Sequence, residues 1–172
     1  MNATTNTNGT ADVTILDLDA MMDIKMDDVE TLPDFVTPPP GVYMLKVKEA
    51  KIEKYSSRKE PTVKRQRIRV VYTVAATKEI LAGNIPVADG SMFSETFMGT
   101  EDGIKFFKKS AMGILSVDNF EGASLKDVID GLVDTEFDAR ITARSTTDPE
   151  TKQVYENITV KPVNKAAAAS AS

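Results

Sequence analysis

Apolar and polar residues alternate in the segment 65–75 of this 172-residue chain. The apolar set is Ile68, Val70, Tyr72 and Val74. Successive side chains of a β-strand point to opposite faces, so the pattern predicts a strand with one buried face and one exposed face. A helix would scatter these residues around its axis. The segment therefore predicts that a sheet, and not a helical bundle, forms the core.

The preceding segment, 42–54, also alternates, but its phase changes partway along. Tyr43, Leu45 and Val47 share one parity, whereas Ala50 and Ile52 have the other. A change of phase by one residue within a strand is typical of a β-bulge, which bends and twists the strand. The first strand is therefore expected to be strongly curved, as in small barrels.

Three further strands and two helices complete the predicted order. The strands are expected at 91–98, 136–144 and 154–160, and the helices at 101–115 and 124–129. The longer helix is indicated by Thr100 as N-cap and by the spacing of its apolar residues Ile104, Phe107, Ala111 and Leu115. The predicted fold is mainly β with one or two helices. A five-stranded OB-fold-like barrel with a helix between strands three and four has this order.

Composition divides the chain into three segments. Residues 1–36 form an acidic arm with eight acidic residues and one lysine, residues 37–163 form the binding domain, and residues 164–172 are an Ala/Ser tail. The arm has a net charge of −7, whereas the whole chain has −5. Apolar residues within 15–32 are compatible with a short amphipathic helix. The arm is otherwise expected to be largely flexible, and the tail disordered.

The chain contains neither cysteine nor histidine. This composition excludes disulfides and zinc sites built from sulfur or imidazole, and it removes the usual general base at neutral pH. No phosphate-binding glycine motif is present either. We therefore expect a protein that is not an enzyme and has no metal site or cofactor. The sequence also shows no membrane span and no secretory signal, so we expect it in the cytoplasm.

Positive charge is concentrated in residues 46–69, which hold ten Lys/Arg against three Glu. Arg65, Arg67 and Arg69 occupy the polar parity of the second strand, with no acidic residue between them. Side chains two residues apart on one face are about 7 Å apart. Arginine can bind phosphate and can stack on a base. The stripe therefore favours binding of a single nucleic-acid strand over an ordinary solvated sheet face.

The remaining candidate residues surround this stripe. Tyr55 is the candidate for base stacking, because it starts the polar loop that precedes the second strand. Lysines of the first strand and basic residues of the loop would contact phosphate. The full predicted nucleic-acid-binding set is Lys46, Lys48, Lys54, Tyr55, Arg58, Lys59, Lys64, Arg65, Arg67 and Arg69.

Several segments within residues 35–163 carry a resemblance to a known family. They are PPPGVYMLKVKEAKIEKY, RIRVVYTV, MFSETFMGTEDGIKFFKKSAMGIL, LKDVIDGLVDTEFDARI and VYENITVKPV. The chain resembles phage-encoded single-stranded-DNA-binding proteins, often catalogued as a domain of unknown function. The resemblance implies an OB-fold, sequence-tolerant binding of single strands, and a role in phage DNA replication or recombination.

The expected partners are single-stranded DNA and, through the acidic arm, replication or recombination proteins. A homo-oligomer is left open. Many replicative single-strand binders carry an acidic tail at the C-terminus, whereas here the acidic segment is N-terminal. Two alternatives stay open: a phage structural or assembly accessory protein with a small β-barrel, and a recombination mediator that anneals strands.

Overall fold

The structure, a computed structural model, describes residues 35–163 continuously and only positions 19, 22, 23, 25 and 27 before them. The chain divides into two units, Met1–Leu32 and Pro33–Ser172. Most of the predicted acidic arm and its amphipathic helix lie outside the described residues, and so does the predicted Ala/Ser tail.

Five antiparallel strands form one sheet, with two helices between the third and fourth strands. The elements are β1 (Gly41–Tyr55), β2 (Arg65–Ile80), β3 (Met92–Met98), α1 (Glu101–Leu115), α2 (Leu125–Leu132), β4 (Glu136–Thr147) and β5 (Val154–Pro162). The strands lie in the order β3-β2-β1-β4-β5. The predicted class, mainly β with two helices, is confirmed, and so is the order of the elements. β2 extends five residues past its predicted end, because Ala76–Ile80 pair with the start of β1.

The bulge predicted in β1 is present. The register with β2 shifts between Val47 and Glu49, where Val47 lies opposite Tyr72 and Glu49 opposite Val71. Before the bulge, odd-numbered residues such as Leu45 are buried, whereas after it the odd-numbered residues share the outer face of the sheet. The bulge therefore brings the last part of β1 into phase with the arginines of β2.

The core lies between the inner face of the sheet and the two helices. Tyr72 is at its centre, with its ring 5.3 Å from the ring of Phe93 and 5.8 Å from that of Phe137. On α1, Phe107 is buried and its ring lies 5.5 Å from the ring of Phe97. Aromatic pairs at these separations add to the free energy gained by burying their surface. Both phenylalanines of β3 thus belong to the core.

Helix α1 has its predicted bounds, but part of its predicted buried face is wrong. The Thr100 hydroxyl accepts a hydrogen bond from the Gly103 N–H at 3.1 Å, which caps the helix as expected. Ile104, expected in the core, is 41% exposed, and Ile114 is buried instead. The reason is that the helix turns its Gly103–Phe107–Ala111–Ile114 stripe toward the sheet.

The five strands do not close into the OB-fold-like barrel expected from the sequence. β3 and β5 are the two ends of the sheet order, and no ladder joins them in the described part of the chain. Glu95 of β3 reaches across instead, and its Oε1 accepts a hydrogen bond from the Val160 N–H at 3.4 Å. A side chain therefore takes the place of a backbone bond, and the sheet is open along this seam.

Candidate nucleic-acid interface

The three arginines of β2 lie on the outer face of the sheet. Ile68 and Val70, which alternate with them, are almost fully buried. On β1 the residues opposite Arg65, Arg67 and Arg69 are Tyr55, Glu53 and Lys51. On β3 the residues opposite Arg67 and Arg69 are Met98 and Thr96. We call the surface made by Tyr55, Arg65, Arg67 and Arg69 the arginine face.

Two of these arginines are paired with acidic residues. The Arg65 guanidinium contacts the Glu60 carboxylate in the loop between β1 and β2. The Arg67 guanidinium lies 2.6 Å from the Glu53 carboxylate on β1. No acidic residue separates the arginines along β2, but neighbouring segments bring acidic residues to them. The charge available to a ligand at Arg65 and Arg67 is therefore lower than the sequence alone indicates.

Arg69 differs from the other two. It forms no ion pair with any side chain that the structure describes, and its guanidinium lies 5.4 Å from the centre of the Phe35 ring. The neighbouring Lys51 is paired with Glu49 at 2.5 Å. Among the contacts that the structure describes, Arg69 is therefore the arginine of this face whose positive charge is least neutralised.

Tyr55 lies where the sequence places it, beside the arginines. The Arg67 guanidinium is 4.8 Å from the centre of the Tyr55 ring, and the Tyr55 hydroxyl donates a hydrogen bond to Met98 Sδ at 3.4 Å. These contacts hold the ring in one position on the outer face. A held aromatic ring beside a cation suits the stacking of a nucleic-acid base.

Three lysines of β1 are not brought to this face. Lys46 lies opposite Thr73, four residues along β2 from Arg69, and its ammonium is 3.7 Å from the Asp134 carboxylate. Lys48 lies at the bulge and has no partner in the register. Lys54 lies opposite Gln66 and so has the parity opposite to that of the arginines.

The basic residues of the loop between β1 and β2 lie beyond the end of the arginine face. Arg58, Lys59 and Lys64 are all exposed. Lys59 forms an ion pair with Glu150 at 3.3 Å, which connects this loop to the turn between β4 and β5. Exposed ion pairs of this kind contribute little to stability, so this connection can open at small cost.

Glu95 was not among the predicted site residues, although its position in the sequence carries a signal. Glu95 lies between Phe93 and Phe97 with the same parity, so its side chain points inward. The Tyr72 hydroxyl donates a hydrogen bond to Glu95 Oε2 at 3.3 Å. Burial raises the pKa of Glu95 to about 7, an effect that the hydrogen bonds from Val160 and Tyr72 partly offset.

The open seam is a groove of about 1510 Å³ between β3, β5 and α1. Arg67 and Arg69 line it as well, so the groove is continuous with the arginine face. Glu95 lies within it, and Phe106 and Lys109 of α1 and Lys161 of β5 line its other sides. We call this surface the seam groove.

Two classes of site have no counterpart in the part of the chain that the structure describes. No cluster of three or more acidic side chains there could hold a metal ion. No helix there is long and apolar enough to cross a membrane.

Comparison with known proteins identifies no family for this chain. No family model matches the chain, and no curated protein matches it significantly.

Proposed function

We propose that this protein binds single-stranded DNA on the arginine face, without catalysis and with little sequence preference. The observation that carries the proposal is the grouping of Arg69, Arg67 and Tyr55, all half-buried, on the outer face of the sheet. Arg69 offers phosphate a guanidinium that has no acidic partner among the described residues, and Tyr55 offers a ring for a base. The resemblance to phage single-strand binders supports a role in phage DNA replication or recombination, in the host cytoplasm.

The ion pairs on the arginine face determine which arginine a phosphate can contact without displacing an acidic side chain. A phosphate approaching Arg67 competes with Glu53, whereas one approaching Arg69 displaces no acidic partner among the described residues. Contacts with single-strand phosphates release counterions, so affinity falls with salt with a log–log slope of about −0.7 per phosphate. The proposal therefore includes steep salt dependence, with Arg69 making the largest contribution of the three arginines.

The test is a titration of labelled oligothymidylate and of a labelled duplex of equal length, each at two salt concentrations. We expect tight binding of the single strand, weaker binding of the duplex, and weakening of both as salt rises. Equal affinity for the duplex, or affinity that does not change with salt, would contradict the proposal.

Matched variants locate the site. Arg69→Ala should weaken single-strand binding about 10-fold or more, because a hydrogen bond between charged groups contributes about 1.5–3 kcal/mol. Arg65→Ala should weaken it less, since Glu60 already neutralises Arg65. Both side chains lie outside the core, so both variants should keep the wild-type unfolding temperature. Equal losses for the two variants would show that the ion pairs do not determine which arginine binds.

A further inference from the structure

The seam groove contains an aromatic side chain that packing does not explain. Phe106 is 68% exposed, whereas its neighbour Phe107 is buried against Phe97. Phe106 belongs to the stripe of α1 that lines the groove, together with Asp102, Lys109 and Gly113. A phenyl ring that stays exposed forgoes the free energy that its burial would provide. The ring is therefore available to a ligand that enters the groove.

Three cations line the groove together with this ring. Arg69 comes from β2, Lys109 from α1 and Lys161 from β5. None of the three forms an ion pair with a side chain in the described part of the chain. They offer separate positions for phosphate groups around a common apolar surface.

Acidic residues also line the groove. Their ionisation and their ion pairs limit which ligand the groove can accept. Asp102 is 3.6 Å from the Lys105 ammonium, which partly neutralises it. Glu95 accepts hydrogen bonds from Tyr72 and Val160, and burial raises its pKa to about 7, so it is only partly ionised near neutral pH. Asp118 and Glu156 are exposed. Salt screens the charge of exposed carboxylates, so Asp118 and Glu156 oppose a phosphate chain less than buried acids would.

An extended peptide is the other ligand that an open sheet edge suggests. A strand added to β5 would need the backbone N–H groups on its free edge. The Val160 N–H, near the end of β5, is already bound by Glu95. An exposed ring in a groove that is lined by cations and continuous with the arginine face fits a single nucleic-acid strand better than a peptide.

We propose that single-stranded DNA bound on the arginine face continues past β3 into the seam groove, where a base stacks on Phe106 and phosphates contact Lys109 and Lys161. This inference rests on the proposed function and extends it to a second surface. It predicts that a short oligonucleotide occupies the arginine face alone and that a longer one occupies both surfaces.

Tryptophan fluorescence tests the stacking directly, because the chain contains no tryptophan. Phe106→Trp places a single tryptophan in the groove, and Ile104→Trp places one on the same helix, beside Lys108 and Phe120 and outside the groove. Longer oligothymidylate should quench the emission of the first variant and leave that of the second unchanged. Equal responses of the two variants would overturn the inference.

Affinity measurements give an independent test. Phe106→Ala should weaken binding of a long oligonucleotide about 5- to 150-fold, the range for loss of one stacked base. It should leave binding of a short oligonucleotide unchanged. Lys109→Ala should reduce the salt slope for the long oligonucleotide by about 0.7. Lys108→Ala is the matched control, because Lys108 faces away from the groove and should leave the slope unchanged.

Different experimental results would contradict the proposed function and the inference about the groove. If the wild-type protein binds no single strand, the proposed function is wrong and the groove inference falls with it. If the wild-type protein binds and Arg69→Ala weakens binding, but the Phe106 and Lys109 variants match their controls at every oligonucleotide length, only the groove inference is wrong.

Discussion

The carboxyl group of Glu95 has an unusual position for an ionisable group. It lies on the inner face of β3 between two core phenylalanines, and it accepts hydrogen bonds from the Tyr72 hydroxyl and the Val160 N–H. Burial disfavours its charged form, and it disfavours ionisation of Tyr72 as well, whose pKa is raised by burial and by the nearby Glu95. The seam is therefore held by a group that changes charge near neutral pH.

This pKa makes stability depend on pH in a definite direction. Between the usual pKa of 4.5 and about 7, the folded protein keeps the Glu95 proton that the unfolded chain has lost. The stabilisation that protonated Glu95 contributes is therefore fully present below pH 4.5. It is lost as the pH rises to about 7. The loss is on the order of 3 kcal/mol if burial acts at full strength, and less where water enters the groove.

Glu95→Gln tests this expectation, because an amide imitates the protonated acid without titrating. We expect the variant to match the wild type in urea unfolding at pH 5 and to exceed it at pH 8. Asp118→Asn is a control in which an exposed carboxylate of the same groove is removed. Glu95→Gln with the same pH profile as the wild type would show that Glu95 does not titrate in this range.

Among the elements, α1 depends on one close approach to the sheet. A Cβ atom at Gly103 would lie 2.0 Å from the Met98 carbonyl oxygen, far inside contact distance. This glycine thus allows the first turn of α1 to pack directly on the end of β3. The same turn is capped by Thr100, so the helix start and its packing are fixed together. The orientation of Phe106 and Lys109 toward the groove follows from this placement.

Alanine substitution at two helical glycines separates packing from helix propensity. Gly103→Ala should destabilise the protein by about 3 kcal/mol, because the backbone must move to admit the methyl group. Gly131→Ala in α2 should stabilise it by about 0.5–1 kcal/mol, since its Cβ would meet no atom within 4 Å. Urea unfolding measures both changes. A Gly103→Ala variant as stable as the wild type would contradict the packing of α1 on β3.

For the whole molecule, the distribution of charge matters more than its total. Residues 1–34 include all eight acidic residues of the predicted arm and one lysine, so without them the net charge of the chain changes from −5 to +2. The field of the whole protein influences how fast and how tightly a polyanion binds. A net negative protein that binds DNA must therefore do so through a local positive surface against an unfavourable overall charge.

Deleting residues 1–34 should accordingly tighten single-strand binding, most at low salt, where charges are least screened. The deletion keeps Phe35, whose ring contacts Arg69. A full-length variant with Asp and Glu of residues 12–34 changed to Asn and Gln controls for the length of the arm and should behave in the same way. If deletion weakens binding, the arm contributes to the binding domain and the charge argument is wrong.

Local patterns in the sequence determined much of this protein. The period of two in β2, the phase change in β1 and the Thr100 cap of α1 all depend on residues close together in the chain, so the sequence predicts them correctly. Only the tertiary structure decided what lies beside each arginine: the pairing of Arg67 with Glu53, and the lack of such a partner for Arg69 among the described residues, depend on strand register. The open seam, the buried Glu95 within it, and the grouping of Phe106, Lys161 and Arg69 around one groove depend in the same way on contacts between residues far apart in sequence, which no local pattern encodes.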